Sequence, residues 1–357
     1  MNRDVITKRI KAIRRELNKK KIKCLIVTKP ANVTYTTGFM GEDSWAAITK
    51  GRIYLLTDSR YIEQAQSECP HCTIMERSNS MSELVAKLVK KLKSVRTVTV
   101  EKTTSLADFE ALKKHVKARF RSVGDVIETV RGSKDNTEIK TIEASASIAT
   151  RALKQTLRHI KPGVTESELA GMLDFQIRKL GATNSFPTIV AFGPNASRPH
   201  HQPSKRKLKQ KDTILIDFGA KYKGYCSDIT RCFVIGKPAA FYKKVYDVVE
   251  QAQAAAIKMI KAGVKMKRVD AAAREVIDKS GLPVYGHGTG HGIGLEIHES
   301  PFLKVESKGT LKAGQVITIE PGIYIPGRLG VRIEDDVLVT KTGCKILTHK
   351  CPHLPIR

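Results

Sequence analysis

No apolar run in this 357-residue chain approaches the ~20 residues that a membrane span needs. The N-terminus "MNRDVITKRIKAIRRELNKKKIK" lacks the apolar stretch of a secretory signal, and Asp4 and Glu16 argue against an organelle presequence. These absences predict a cytoplasmic protein with no membrane partner. Acids are scarce: 35 Asp+Glu against 63 Lys+Arg leave a net charge of +28, which favours nonspecific affinity for nucleic acid. Aromatics are scarce as well, at 6%, and none interleave the basic runs "KLVKKLKSVR", "KKHVKARFR" and "KRKLKQK". A stacking platform for single strands is therefore missing, and these runs read as solvated faces. Seven scattered cysteines read as reduced thiols. Cys69 and Cys72 in "ECPHC" make one C-x-x-C with no second pair, and the tail "HKCPH" lacks a fourth ligand, so both read as surface loop.

What is present suffices for a folded core: 41% hydrophobic residues and 27% charged, in a chain long enough for two domains. Residues 1–130 alternate amphipathic and short apolar segments, "TKRIKAIRRELNKKK" then "IKCLIVT", "RIYLLT", "MSELVAKLVKKLKS" and "TVTVE", the pattern of an α/β domain. The polar stretch "GDVIETVRGSKDNTEIK" then leads into an Ala-rich helix from about Asn136, and residues 131–357 form the second domain. That domain repeats itself. "KPGVTESELAGMLDFQIRKLG" (161–181) aligns without a gap at an offset of 100 with "KAGVKMKRVDAAAREVIDKSG" (261–281). Each copy is followed by a histidine-bearing loop, "HHQP" or "HESP", and then by two strands that each carry an acid. Thr165 to Glu168, "TESE", is a capping-box signal for the helix of the first copy.

The acids face one another if each strand pair is a hairpin. Centred between Tyr222 and Lys223, the first hairpin pairs Asp217 with Asp228; centred on Gly327, the second pairs Glu320 with Glu334. Opposed carboxylates repel, and Asp217 ends the buried-looking "TILI", so each pair needs neutralising. Alternation puts Arg231 on the face away from Asp228, while Arg332 shares a face with Glu334, leaving one arginine for four acids. Divalent cations are the more economical counter-charge. Four carboxylates and a histidine suit two such ions, Mn²⁺ first, with Co²⁺, Fe²⁺ or Zn²⁺ as alternatives, and paired ions activate water for hydrolysis.

The histidine comes from "VYGHGTGHGIGLEIHES" (284–300). No G-x-G-x-x-G or H-E-x-x-H can be read there, and strand-like "GLEIHE" follows rather than a helix. Glycines flanking His291 let backbone approach a site and leave the imidazole reachable, as a metal ligand requires. His298 and His200, in matching places of the two halves, read as substrate-side groups that donate to an oxyanion or shuttle a proton. His201, His287 and Glu299 read as supporting or packing residues.

The set Asp217, Asp228, His291, Glu320 and Glu334, in "LIDFGAKYKGYCSDITRCF", "GHGTGHGIGLEIHESP", "TIEPGIY" and "VRIEDD", resembles the dinuclear metallopeptidases of the creatinase/aminopeptidase P/prolidase family. "TTGFMGEDSW" and "LLTDSRYIEQA" resemble that family's N-terminal domain. The resemblance implies an α/β, ribonuclease-H-like N-terminal domain before an α+β pita-bread catalytic domain, usually in a homodimer. It implies cleavage before proline in proline-containing peptides by a hydroxide bridging two metals. Glu320 would be both ligand and proton acceptor, His298 and His200 would steady substrate and intermediate, Arg332 would sit beside the last ligand, and Thr230 would support Asp228. Asp336, in "IEDD", departs from the Thr or Met of many relatives and adds charge on the Glu334 face. The reading preferred on these grounds is an Xaa-Pro aminopeptidase; the alternative is an Xaa-Pro dipeptidase (prolidase). Methionine aminopeptidases share the five ligands but lack this kind of N-terminal domain, and creatinase does not keep the metal set. A non-enzymatic nucleic-acid-binding or scaffold member of the fold is more remote, since it has no reason to hold four repelling acids together.

Overall fold

The computed structural model describes residues 3–352, with side chains from Val5 onward; His353, at the end of the tail motif, lies outside the described residues. The chain divides into two compact units, Met1–Arg131 and Gly132–Arg357. No described helix is long and apolar enough to cross a membrane.

In the first unit, helix α1 (Arg3–Lys19) buries Ile6, Ile10, Ile13 and Leu17, a spacing that lines one helix face with apolar side chains. Then follow β1 (Cys24–Val27), α2 (Pro30–Thr37), β2 (Trp45–Thr49), β3 (Ile53–Thr57), α3 (Ile62–Glu68), β4 (Thr73–Glu76), α4 (Met81–Lys91), β5 (Thr97–Glu101), α5 (Leu106–His115), β6 (Arg119–Val123) and α6 (Val126–Arg131). The strands form one mixed sheet in the order β4-β3-β2-β1-β5-β6. Ser80 and Ser105 cap α4 and α5 by accepting the Glu83 and Asp108 amides. Cys69 corrects the surface-loop reading of the C-x-x-C motif. It ends α3, is fully buried, and donates its thiol to the Thr37 carbonyl, because the helix end packs inward there. The cysteines are free thiols.

The second unit opens with α7 (Asn136–Thr156), started by a reciprocal cap between Asp135 and Glu138. The repeat is plain in space: α8 (Glu166–Lys179) and α10 (Met266–Lys279) have 14 residues each at the same offset of 100. The Gly163 amide bonds the Leu208 carbonyl in one copy, and the Gly263 amide bonds Leu311 in the other. Thr165 caps α8 with the capping box read from "TESE". Between the copies lie β7 (Thr183–Asn184), β8 (Ile189–Phe192), β9 (Thr213–Phe218), β10 (Ala220–Tyr222), β11 (Tyr225–Cys226), β12 (Ile229–Val234) and α9 (Ala240–Lys258). After α10 come β13 (Gly290–Gly292), β14 (Glu299–Leu303), β15 (Val316–Ile319), β16 (Gly322–Ile325), β17 (Leu329–Arg332), β18 (Asp335–Val339) and β19 (Cys344–Ile346). Helices α7 and α8 pack Ile148, Leu153, Leu173 and Ile177 in a core with Ile214, Ile216, Phe218 and Phe233. Helices α9 and α10 do the same with Ile317, Ile319, Val331 and Val337.

The two hairpins differ from their reading in one instructive way. In the second, Ile319 pairs with Asp335 and Gly322 with Arg332, the register centred on Gly327. In the first, Tyr222 pairs with Tyr225 and Asp217 with Thr230, so the centre lies between Lys223 and Gly224 and Asp217 does not oppose Asp228. Both turn residues have positive φ, 47° and 83°, the backbone of a tight two-residue hairpin turn, and glycine selects where that turn sits. The slip is two residues, so the period-2 alternation keeps Asp217 and Asp228 on one face, now diagonal. A second correction concerns "GLEIHE": residues 294–298 are bends rather than strand, and β14 begins only at Glu299.

Candidate metal centre

A cavity of about 420 Å³ opens in the second unit, and Asp217, Asp228, His291, Glu320, Glu334, His200, His298 and Arg332 all line it. Asp217 and Thr230 come from paired β9 and β12, Glu320 and Glu334 flank the β16–β17 ribbon, and His291 is the middle residue of β13. Glycines make that convergence possible. A Cβ on Gly290 would lie 1.9 Å from the Thr318 carbonyl oxygen, and one on Gly219 would lie 1.9 Å from that of Ser227.

Asp228, His291 and Glu334, all buried, each offer a ligand atom within 4.8 Å of the others. His291 Nδ1 lies 3.1 Å from the Gly292 carbonyl oxygen; a carbonyl only accepts, so Nδ1 carries the proton and Nε2 presents its lone pair. That Nε2 is 3.4 Å from Glu320 Oε1 and 3.6 Å from Asp228 Oδ2. Ligand atoms bonded to one ion at about 2.1 Å lie roughly 3.4 Å apart around a tetrahedron, so this spacing suits donors that share a cation. The His291 amide donates to Thr318 Oγ1, whose hydroxyl donates to Glu320.

Arg332 is the one guanidinium lining the cavity among the described residues. It donates to Asp217 Oδ2 at 2.6 Å, to Thr230 Oγ1 at 3.0 Å and to the Tyr324 hydroxyl at 3.0 Å. The Thr230 hydroxyl in turn donates a hydrogen bond to Glu334 Oε2 at 2.6 Å. Tyr324 donates on to His287 Nε2 at 3.1 Å, and His287 Nδ1 to the Gly288 carbonyl. Arg231 is spent elsewhere, on Asp335 at 2.6 Å behind the site, as alternation requires.

One guanidinium does not satisfy this many oxygens; the cavity's lysine is Lys304. Asp217 Oδ1 is buried with no hydrogen-bond partner, which left so would cost about 1–3 kcal/mol. Burial, and then the neighbouring Glu334 and Asp217 carboxylates, push Asp228 well above the usual carboxylate range. Burial, then Glu320 and Asp217, do the same to Glu334, and burial raises Glu320. A group of acids that resists ionisation, a buried acceptor without a donor and an imidazole with its lone pair turned inward fit divalent ions.

The supporting residues sort themselves by contact. His298 stacks edge-on against His291 with ring centres 4.4 Å apart, and partial desolvation with the neighbouring His291 and His200 imidazoles lowers its pKa. His201 is held by Glu166 at 2.9 Å and belongs to the scaffold. Asp336 does not line the cavity; it is fully buried and accepts the Asp228 amide at 3.1 Å. Sequence reasoning passed over Tyr324 and Thr318, although both sit an even number of residues from Glu320, a spacing that was readable. It also missed Phe302, which opposes His291 across the β13–β14 ladder and lines the cavity.

Residues 140–341 match the model of metallopeptidase family M24, and residues 9–132 match the creatinase/prolidase N-terminal domain. The chain belongs to metallopeptidase family M24. Within the family it is 35% identical to the Xaa-Pro dipeptidase of Pyrococcus horikoshii, over 97% of this chain and 98% of that protein. The solved Xaa-Pro dipeptidase from Bacillus anthracis superposes with a TM-score of 0.94 at 38% identity, covering 98% of this chain and 99% of the other. An X-Pro aminopeptidase from Thermotoga maritima superposes at 0.89 with 36% identity, covering 96% and 99%. The fold is accordingly the α/β N-terminal domain of the creatinase/prolidase type followed by the pita-bread catalytic domain of M24, with its internal two-fold repeat.

Proposed function

We propose that this M24 peptidase is a metal-dependent Xaa-Pro dipeptidase. The observation that carries the reading is the gathering of Asp217, Asp228, His291, Glu320 and Glu334 around one cavity, with less protein counter-charge than the acids need. The substrate class is argued from relatives: dipeptidase or prolidase names recur among proteins similar over nearly the whole chain. This favours the dipeptidase alternative over the aminopeptidase expected from sequence. The Thermotoga maritima likeness keeps the aminopeptidase as a second reading.

Asp217, Asp228, His291, Glu320 and Glu334 would hold two divalent ions, Mn²⁺ being the first to try. When bound, such ions polarise the scissile carbonyl and lower the pKa of water, so that a nucleophile exists at neutral pH. Glu320, whose carboxylate reaches the cavity beside His291, is placed to take a proton and deliver it to the departing prolyl nitrogen. His298, lining the cavity, offers an N–H to the oxygen on which charge develops. His200, across the same cavity, steadies the substrate. Arg332 keeps Asp217 oriented and, through Thr230, orients Glu334. Hydrolysis of Ala-Pro and Ala-Pro-Ala, each with added Mn²⁺ and after chelation, tests the reading. Chelator-sensitive cleavage of the dipeptide alone is expected; equal cleavage of the tripeptide selects the aminopeptidase, and no cleavage of either removes both.

A further inference from the structure

His298 has no hydrogen bond to any described residue; its ring touches His291 and otherwise faces the cavity. Its placement must therefore come from the backbone that carries it. N-terminal to it, residues 294–298 are bends outside any strand. C-terminal to it stands Glu299, the first residue of β14. The ladder there is irregular: His291 pairs with Phe302 but Gly292 with Glu299, so Ser300 and Pro301 bulge out and Glu299 is the last pairing before the histidine.

Glu299 is anchored by its side chain as well. Its Oε1 accepts from Lys134 Nζ at 2.5 Å, with the two side chains 8% and 1% exposed. Lys134 is itself fixed, its amide donating to the Gly314 carbonyl at 2.7 Å and its ammonium also reaching the Gly132 carbonyl at 3.4 Å. Room for this pair is kept by glycine: a Cβ on Gly294 would lie 2.7 Å from Glu299 Oε1. An ion pair so deeply buried adds little net stability over an apolar pair of the same volume, so its use is better sought in what it positions.

We propose that Lys134 is a positioning residue for the peptidase reaction, acting through Glu299 to set the place of His298 in the cavity. The inference rests on the reading of His298 as a substrate-side group. It joins residues 165 positions apart into one tether. Displacing a catalytic imidazole by a fraction of an ångström costs turnover far more than affinity.

The test uses the full-length, metal-loaded protein. Lys134→Met alone takes the ammonium away from a buried carboxylate and is expected to lower Tm. The double variant Lys134→Met/Glu299→Leu restores an apolar pair and is expected to recover Tm while kcat on Ala-Pro stays about tenfold down, with KM and metal content unchanged. In a His298→Ala background the same double change should lower kcat no further, since the tether then has nothing to place. Imidazole NMR signals of His298, recorded on protein loaded with diamagnetic Zn²⁺ and assigned by their loss in His298→Ala, should shift or broaden in the double variant. Wild-type kcat in the double variant, loss of metal from it, or an undiminished effect without His298 would each overturn the proposal. Should wild-type protein cleave no Xaa-Pro substrate, the dipeptidase reading fails by itself, and an unmoved His298 signal still decides against the tether.

Discussion

Glu166 and Glu334 are both buried glutamates of the second unit, at 0% and 2% exposure, yet their surroundings are opposite. Glu166 Oε1 accepts from the Phe192 amide and Asn195; its Oε2 accepts from the Ser204 amide and hydroxyl and lies 2.9 Å from His201. Burial raises that carboxylic acid, but the hydrogen bonds from Ser204, His201 and Asn195 outweigh it and the pKa falls below the ordinary value. Glu334 receives the Thr230 hydroxyl, faces Glu320 and Asp217, and is held well above the ordinary value, first by burial. The fold can evidently saturate a buried acid with donors where it needs a pin. Around the cavity donors are fewer, the pattern expected where a carboxylate is to serve as a ligand.

The comparison is most easily broken at Asp228. Asp228→Asn should cut turnover by roughly 10³-fold and remove bound metal, with the fold intact by circular dichroism; an active, metal-free variant would contradict the assignment. His298→Ala should lower kcat by about 10²-fold with metal content unchanged, so metal loss measured by elemental analysis would move His298 into the ligand set. Glu166→Gln should do the reverse of Asp228→Asn. It should cost about 1–3 kcal/mol in denaturant unfolding, because several donors lose their charged acceptor, with metal stoichiometry as in wild type. Thr230→Val should weaken metal binding about tenfold, read by titration with a competing chelator, and lower Tm of the metal-free protein modestly, because Arg332 Nε and Glu334 Oε2 lose a buried partner.

The smallest effect is also the one with a sign. Acids raised in the folded state hold protons that the unfolded chain has lost, so their contribution to stability is complete below the ordinary carboxylate range and drains away as pH rises. Glu166, lowered in the fold, contributes above that range and loses its contribution as pH falls. Metal-free protein should therefore lose Tm from mildly acidic to mildly alkaline pH. Asp228→Asn should flatten that loss, and a saturating divalent ion should flatten it too. A metal-free wild type whose Tm rises over the same interval would show that the cavity acids are neutralised by the protein after all.

Much of the centre was legible because it obeys short-range rules. The alternation of side chains along a strand put Glu320 and Arg332 on the cavity side, and the turn glycine Gly327 set the register of the second hairpin. The first hairpin was misread by one turn position, since Tyr222-Lys223 and Lys223-Gly224 both look like turn centres until a positive φ must be placed. The bends of residues 294–298 were misread because apolar Leu295 and Ile297 alternate like a strand while the glycines break it.

What the chain order alone determined was the inventory: the repeat at an offset of 100, the capped helices, the acids on alternating faces and a histidine set among glycines. Only tertiary structure decided which partners those groups find. Arg332 reaches Asp217 across 115 residues, Thr230 reaches Glu334 across 104, and Lys134 reaches Glu299 across 165. Periodicity is a local property of the backbone and fades within a few turns or strands, whereas a buried charge must find whichever counter-charge the packing brings near, however distant along the chain.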